Sequence, residues 1–454
     1  MSFEVLKQQV SGKVILPADT GYDEARTVYN AMIDKKPAAI LKCESEQDVV
    51  TGIRFAKERD MEVAIRGGGH SGPGFGLVDN GLVLELSGLK DVQVDKWKKT
   101  VVVGGGCTLG DIDQVLTPLG LMVPFGVAST TGIGGLALGG GLGYFTRMGG
   151  LSIDNLLEAR VILASGEIVT ANADSHPDLF WALRGGGGNF GVVVSFTFKT
   201  HEVRKIYAGP IMWPIENARE VLQFYDEFTK DLTNDLNGVF VFMRVPQAEV
   251  FPEELHDKHV CAIVWCYTGP FEQAEEVFKP IREFRKPVID WAGEFTVQAL
   301  NSLFDPFFPP GMQWHWKGHY LKELNNDAID TLVDFGSNLP TLMSTTHLYL
   351  IDGKAHDVGN NDTAWANRDA RWAQVMPGID FEAKNAELIT DWSRSFYDAM
   401  KPYASSENGY VNFMMDDGEE KVKGTYGANF ERLVAVKRKY DPDNFFHVNQ
   451  NIKP

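Results

Sequence analysis

Val63-Ala-Ile-Arg-Gly-Gly-Gly-His-Ser-Gly72 is the stretch on which the reading of this chain turns. Glu62 to Ile65 is a short apolar run of strand character that delivers the backbone into three successive glycines. Upstream, Ala38-Ala-Ile-Leu-Lys42 is also strand-like, and Glu46-Gln-Asp-Val-Val50 opens a helical pattern. These segments predict a βαβ unit over 37–66 that ends on a loop without side chains. The backbone N–H groups of such a loop satisfy phosphate oxygens without any cationic side chain.

Three further glycine clusters follow, at 104–106, 132–143 and 185–191, separated by β-branched runs such as Val101-Val-Val103 and Val192-Val-Val194. Such glycine density marks places where the chain needs positive φ or close approach to something bound. Gly67-Gly-Gly-His70-Ser-Gly72 meets the Gly-x-Gly-x-x-Gly spacing only loosely, and no acidic residue ends a second strand at the distance a nicotinamide-binding Rossmann unit requires. His70 adds a different element, because an imidazole nitrogen is a nucleophile.

At 454 residues the chain exceeds what one hydrophobic core organises, so two domains are expected. The change of texture falls near residue 205, where glycine thins and aromatic, proline-interrupted segments begin: Trp213-Pro214, Phe307-Phe-Pro-Pro-Gly311 and Trp314-His-Trp316. Val260 to Cys266 predicts a strand, and Glu272 to Lys279 a helix stopped by Pro280. A closing helix is predicted from Ala428 to Tyr440, stopped by Asp441-Pro442. The formal net charge of -18 argues against a surface that tracks nucleic-acid phosphates. The N-terminus lacks the charged and apolar regions of a signal peptide and no long apolar span occurs, so a cytoplasmic protein without membrane segments is expected. Cys43, Cys107, Cys261 and Cys266 have no metal-ligand spacing and are expected as buried free thiols, with no metal site.

Residues 37–200 resemble the FAD-binding domain of the vanillyl-alcohol oxidase superfamily, and specifically its berberine-bridge-enzyme-like family. The resemblance is carried by Arg66-Gly-Gly-Gly-His70-Ser71, Gly126-Val-Ala-Ser-Thr-Thr-Gly-Ile-Gly-Gly135, Gly139-Gly-Gly-Leu-Gly143, Gly149-Gly-Leu-Ser-Ile-Asp-Asn155 and Trp181-Ala-Leu-Arg-Gly-Gly-Gly-Gly-Asn-Phe-Gly191. Tyr410-Val-Asn-Phe413, Tyr426 to Leu433, Tyr440 to Phe446 and Asn449-Gln-Asn-Ile452 resemble the family's closing segment.

The fold so implied is α+β: a PCMH-type FAD-binding domain of two α/β subdomains (1–205), a substrate-binding domain with an antiparallel sheet flanked by helices (206–405), and a segment returning to the FAD domain (406–454). The implied cofactor is FAD, bound covalently as 8α-histidyl FAD through His70. Its expected contacts come from Arg66, Gly67, Gly68, Gly69, Ser71 and Gly72, from Gly126, Val127, Thr130, Thr131, Gly132, Gly134 and Gly135, from Gly139, Gly140, Leu142 and Gly143, and from Asp154, Asn155, Val193 and Asn449. Many relatives add a second bond through Cys in Gly-Val-Cys-Pro-Thr, where this chain has Ala128, so a single attachment is expected. Cys107, one loop earlier, is read as structural. Thr131 stands at the family's oxygen-access position, where a small side chain admits oxygen.

Taking hydride from a C–OH or C–N bond also needs a base for the hydroxyl or amine proton. The family places a Tyr-x-Asn motif at the flavin, which Tyr410 and Asn412 match; His347 is a further candidate, with Lys317, His315 and His319 as helpers, and all four are read first as core. The expected partners are a small ring-containing alcohol, sugar or alkaloid-like substrate and dioxygen or another acceptor, in a monomer or homodimer. A dehydrogenase with a different acceptor and a flavin-binding protein of low turnover are the competing readings.

Overall fold

The computed structural model describes residues 2–406 and 409–454, so positions 407 and 408 of the expected closing segment lie outside the described residues. The first sheet has four strands in the order Lys13–Ile15, Ala39–Lys42, Leu82–Glu85, Val63–Arg66. Its last three strands are parallel. The helix Glu46–Lys57 joins two of them and is started by a capping box between Ser45 and Asp48. The expected βαβ unit is therefore split, because Leu82–Glu85 inserts between Ala39–Lys42 and Val63–Arg66. Its sequence, Leu-Val-Leu-Glu, is buried at every position and has no alternation to betray it.

The second sheet is antiparallel, in the order Val92–Asp95, Thr100–Gly104, Val192–Lys199, Leu156–Ile162, Ile168–Asn172. Gly104 ends its second strand where a Cβ would lie 2.1 Å from the Leu89 carbonyl oxygen, so the β-branched run runs directly into a glycine loop.

The third sheet is antiparallel and has eight strands, seven of them in the order Ile289–Asp290, Ile206–Pro214, His259–Tyr267, Leu236–Arg244, Thr346–Leu350, Trp372–Val375, Gly318–Leu321, with Gly293–Phe295 also paired to Ile206–Pro214. Its strands alternate with period two. Phe240, Phe242, Ile263, Trp265, Leu348 and Trp372 pack with the helices Ala218–Phe228, Ala274–Glu283, Asn326–Ser337 and Ala386–Met400. Val239, Val264, Cys266, Tyr349, Ala373 and Val375 face the other way and join the core that contains Phe125, Leu138, Trp181 and Tyr410. Trp213, Trp265 and Trp372 are fully buried, each removing on the order of 200 Å² from water.

One helix departs from expectation. Pro280 does not stop its helix, which runs through it from Ala274 to Glu283. A proline removes one backbone hydrogen bond, but the added turn places Arg282 against Glu275 (2.5 Å), Asp290 (2.6 Å) and the Tyr207 hydroxyl (2.7 Å). The closing helix spans Phe430–Tyr440 after a 3-10 turn at Gly427–Asn429. Its Lys437, fully buried, donates to Asp441 (2.7 Å) and to the carbonyls of Asn189 (2.7 Å) and Phe446 (2.9 Å). Among the described residues no helix is long and apolar enough to cross a membrane.

Candidate active site

A cavity of about 420 Å³ opens where the glycine loops, the inner face of the third sheet and the closing segment meet. That is within the range of small-molecule and cofactor sites. The strand Val63–Arg66 ends at its rim, and Arg66, Gly67, Gly68, Gly69, His70, Ser71 and Gly72 all line it. Gly68 has no room for a side chain, since a Cβ would lie 2.3 Å from the Gly132 amide nitrogen. This contact brings the two glycine loops together. Gly126, Val127, Ala128, Thr131, Gly132, Gly134, Gly135 and Leu142 line the cavity beside the first loop, with Val193 from the second sheet and Asn449 from the tail.

His70 is half-buried and its imidazole stacks on Tyr29, with ring centroids 3.9 Å apart and planes at 19°. Desolvation pulls its pKa down to about 4, against a smaller opposing effect of the Thr130 carbonyl, so the ring is neutral at neutral pH. Ala128 lines the same cavity. Cys107 does not; it is buried with its thiol toward the Asp91 carbonyl (3.8 Å) and its pKa pushed up to about 11 by burial. All four cysteines are buried and free, and none lines the cavity.

Tyr410 and Asn412 come from a 3-10 turn at Val411–Phe413 and its cap, and both line the cavity. The Tyr410 hydroxyl oxygen accepts from the Gly141 amide at 2.7 Å and from Asn412 Nδ2 at 2.8 Å. Gly141 sits at φ +77°, and a Cβ there would lie 2.0 Å from Ser152 Oγ, so only glycine presents its N–H in this way. Asn412 Nδ2 also donates to the Leu136 carbonyl (3.2 Å), which fixes its amide orientation. Burial raises the Tyr410 pKa above the usual phenol value, while the N–H groups of Gly141, Asn412 and Leu142 pull the other way. The hydroxyl oxygen is thereby met by donors, which offset part of the cost that burial places on its ionised form.

His347 lines the cavity from the third sheet. Its nitrogens contact Thr345 Oγ1 (3.0 Å) and the Tyr349 hydroxyl (3.1 Å), and burial brings its pKa down to about 4. The three other helpers are elsewhere. Lys317 is paired with Asp417 at 2.5 Å, His319 is stacked on Tyr397 at 3.9 Å, and His315 is buried in the strand Gln313–His315; none of them lines the cavity.

Six residues expected at the cofactor stand behind the wall instead. Asp154 is held by a two-pronged pair with Arg368 (2.7 and 2.8 Å). Asn155 donates to Gly149 (2.8 Å) and Leu151 (3.0 Å) carbonyls. Gly139, Gly140 and Gly143 give space to Asn412, Trp365 and the Phe125 carbonyl, and the Thr130 side chain points to solvent. These residues shape the loops whose other side faces the cavity.

Further residues of the wall were not among the expected site residues, although Asn189, Phe413 and Gln450 lie within the quoted motifs. Tyr349, Val375, Pro377, Trp314, Trp316, Phe413, Met414, Asn189 and Gln450 belong to it. Tyr349 was within reach of sequence reasoning, because it follows His347 by two in the strand Thr346–Leu350 and so shares its face.

The wall fits FAD on its own geometry. A Cβ at Gly135 or Gly188 would meet nothing within 4 Å, so these glycines leave open space at the cavity. Asn449 Oδ1, Gln450 Oε1 and Trp316 Nε1 are buried at the wall without a hydrogen-bond partner among the described residues. Such groups call for a polar occupant.

Comparison with known proteins agrees with this geometry. Residues 37–172 match the family described as FAD binding domain, and residues 409–453 the family described as berberine and berberine like. An FAD-linked oxidoreductase of Dictyostelium discoideum is 33% identical over 94% of this chain and 91% of its own length. The (R)-6-hydroxynicotine oxidase of Paenarthrobacter nicotinovorans is 29% identical over 98% of this chain and 97% of its own. The crystal structure of 6-hydroxy-D-nicotine oxidase from Arthrobacter nicotinovorans superposes with a TM-score of 0.88 at 26% identity, covering 98% of each chain. The glycine cradle, the closing segment and these likenesses over nearly the whole length have one meaning: this chain belongs to the berberine-bridge-enzyme-like family of FAD-linked oxidoreductases.

Proposed function

We propose that the protein is an oxidase that removes hydride from a C–OH bond of a neutral, ring-containing substrate, with FAD attached once, through His70, and dioxygen as electron acceptor. The observation that carries this reading is that His70, Ala128 and Tyr410 line one cavity. A nucleophilic ring, a position without a thiol and a phenol cradled by N–H groups thus share a single site. When bound, FAD supplies the hydride acceptor at N5.

Tyr410, as the phenolate, takes the substrate hydroxyl proton and becomes the neutral phenol, and the Gly141 and Asn412 N–H groups stabilise the phenolate before that transfer. Arg66 is buried at the glycine loop and lies where cofactor negative charge would be balanced. Among the described residues Arg66 is the only Asp, Glu, Lys or Arg at the wall. The described wall thus offers an ammonium substrate no carboxylate, and Trp314, Trp316, Tyr349 and Phe413 offer ring faces in preference to the dense hydrogen-bonding a sugar requires. A neutral aromatic alcohol answers this wall best. Thr131, small and at the cavity, supports access of dioxygen.

Denaturing electrophoresis under ultraviolet light tests the attachment. The wild-type band fluoresces and the His70→Ala band does not; a fluorescent His70→Ala band would overturn it. Hydrogen peroxide release with a panel of benzylic alcohols, sugars and amines tests the rest, with the alcohols expected to turn over fastest and the amines slowest.

A further inference from the structure

A segment that no motif singled out, Tyr29 to Ala31, runs between the His70 loop and the strand Gln313–His315 of the following domain. Asn30 is 1% exposed. Its Nδ2 donates to the carbonyls of Gly72 (2.8 Å) and Trp314 (3.0 Å), and its Oδ1 accepts from the amides of Met32 (3.1 Å) and Trp314 (3.0 Å). Every hydrogen-bonding position of the side-chain amide is filled. The backbone continues the stitching: Tyr29 N–H donates to the Gly69 carbonyl (3.1 Å), Ala31 N–H to Met312 (2.9 Å) and Gly311 N–H to Tyr29 (3.1 Å). Loop 69–72 and residues 311–314 are thus tied to opposite sides of one short segment.

On this base the Tyr29 ring stacks on the His70 imidazole, while its hydroxyl donates to the Phe308 carbonyl at 2.7 Å. A histidine on a run of glycines has little else beside it to select a rotamer, and a parallel ring 3.9 Å away removes much of that freedom. The Thr130 carbonyl beside the imidazole opposes the loss of its proton, and a neutral imidazole keeps the lone pair of one ring nitrogen for bond formation.

We propose that Tyr29 is the positioning residue for covalent flavin attachment, and that Asn30 makes attachment depend on docking of residues 308–314. The proposal rests on the reading that His70 is the attachment point. In that step the free ring nitrogen of His70 forms a bond to the flavin 8α carbon. One C–H bond of the flavin methyl and the imidazole N–H are broken; the two protons and two electrons pass, by way of the ring system, to dioxygen, which leaves as hydrogen peroxide.

The test uses purified holoprotein, precipitated with acid and separated into pellet and supernatant, with flavin measured in both. Wild type keeps its flavin in the pellet. Tyr29→Leu, which removes the ring, is expected to bind flavin but release most of it, as an about 100-fold slower attachment implies. Tyr29→Phe, which keeps the ring and loses only the Phe308 bond, is expected to behave close to wild type. Equal release from the two variants, whether slight or nearly complete, would show that the stacked ring does not set His70. Should Tyr29→Leu not fold, Tyr29→Met takes its place against the same Phe control. Release from wild type itself would instead indict the attachment reading and this proposal with it.

Discussion

A Cβ on Gly139 would lie 2.2 Å from Asn412 Oδ1 and 2.6 Å from its Nδ2. Gly139 has an ordinary right-handed backbone, with φ -88° and ψ -7°, so alanine is allowed there and the only obstacle is the amide of Asn412. Gly139→Ala therefore displaces the group that donates to the Tyr410 hydroxyl. We expect flavin content to be retained and the anaerobic rate of flavin reduction by substrate to fall about 100-fold. Stopped-flow absorbance measures it, and a wild-type rate would mean that Asn412 does not hold the phenol.

Tyr410→Phe keeps the ring and removes the proposed proton acceptor. The expected loss in the reduction rate is about 10²- to 10⁴-fold, again with flavin content intact. Since burial raises the phenol's pKa, the phenolate fraction, and with it the wild-type rate, climbs as the pH rises from 7 towards 10. The variant's profile should be flat over that interval. A variant that retains the wild-type slope would assign the base elsewhere.

Asp113 is 2% exposed and accepts from Asn301 Nδ2 at 2.7 Å, while Asn301 Oδ1 is buried without a partner. Burial pushes the Asp113 carboxyl up to about 6, with the Asn301 bond opposing. A folded-state pKa above the unfolded value near 3.9 stabilises fully below about pH 4 and is lost as pH rises through 6. At pH 8 the wild type bears the whole cost of a buried carboxylate. Asp113→Asn removes it and supplies a donor to Asn301 Oδ1, so the variant should be more stable at pH 8 by about 2–3 kcal/mol. Urea unfolding at pH 8 and pH 5 checks this; the gap should narrow at the lower pH.

Cys107→Ala should leave the flavin and its proposed attachment unchanged, because the thiol is buried and away from the cavity. Ala128→Cys, by contrast, brings a thiol to the wall. A changed flavin absorption spectrum in the second variant alone is the expected pattern, and loss of in-gel fluorescence in the first would reassign Cys107.

The glycine loop and the nucleophilic ring of His70 were legible before the structure because they are local, whereas the Tyr-x-Asn turn was legible through its resemblance to the family's closing segment. What stayed hidden depends on partners distant in sequence. Asp154 looks like a cofactor ligand from its motif, yet its carboxylate is consumed by Arg368, 214 residues away. Leu82–Glu85 reads as a plain apolar run, and only its two parallel neighbours make it the strand that separates the expected βαβ pair. Pro280 obeyed a weaker rule than the contacts of Arg282, two residues further on. Tyr349 needed only the period-two count from His347; Trp316 needed the fold.

Phe446, Val448, Asn449 and Gln450 form part of the same wall as residues 63–72, and the buried Lys437 fastens that stretch to the Asn189 and Phe446 carbonyls. A chain emerging from the ribosome must therefore hold its glycine loops open through nearly the whole of its synthesis. The cradle closes only once residues near 450 are available, so the cofactor enters a protein whose translation has already passed them. Contacts that span nearly 400 residues close slowly.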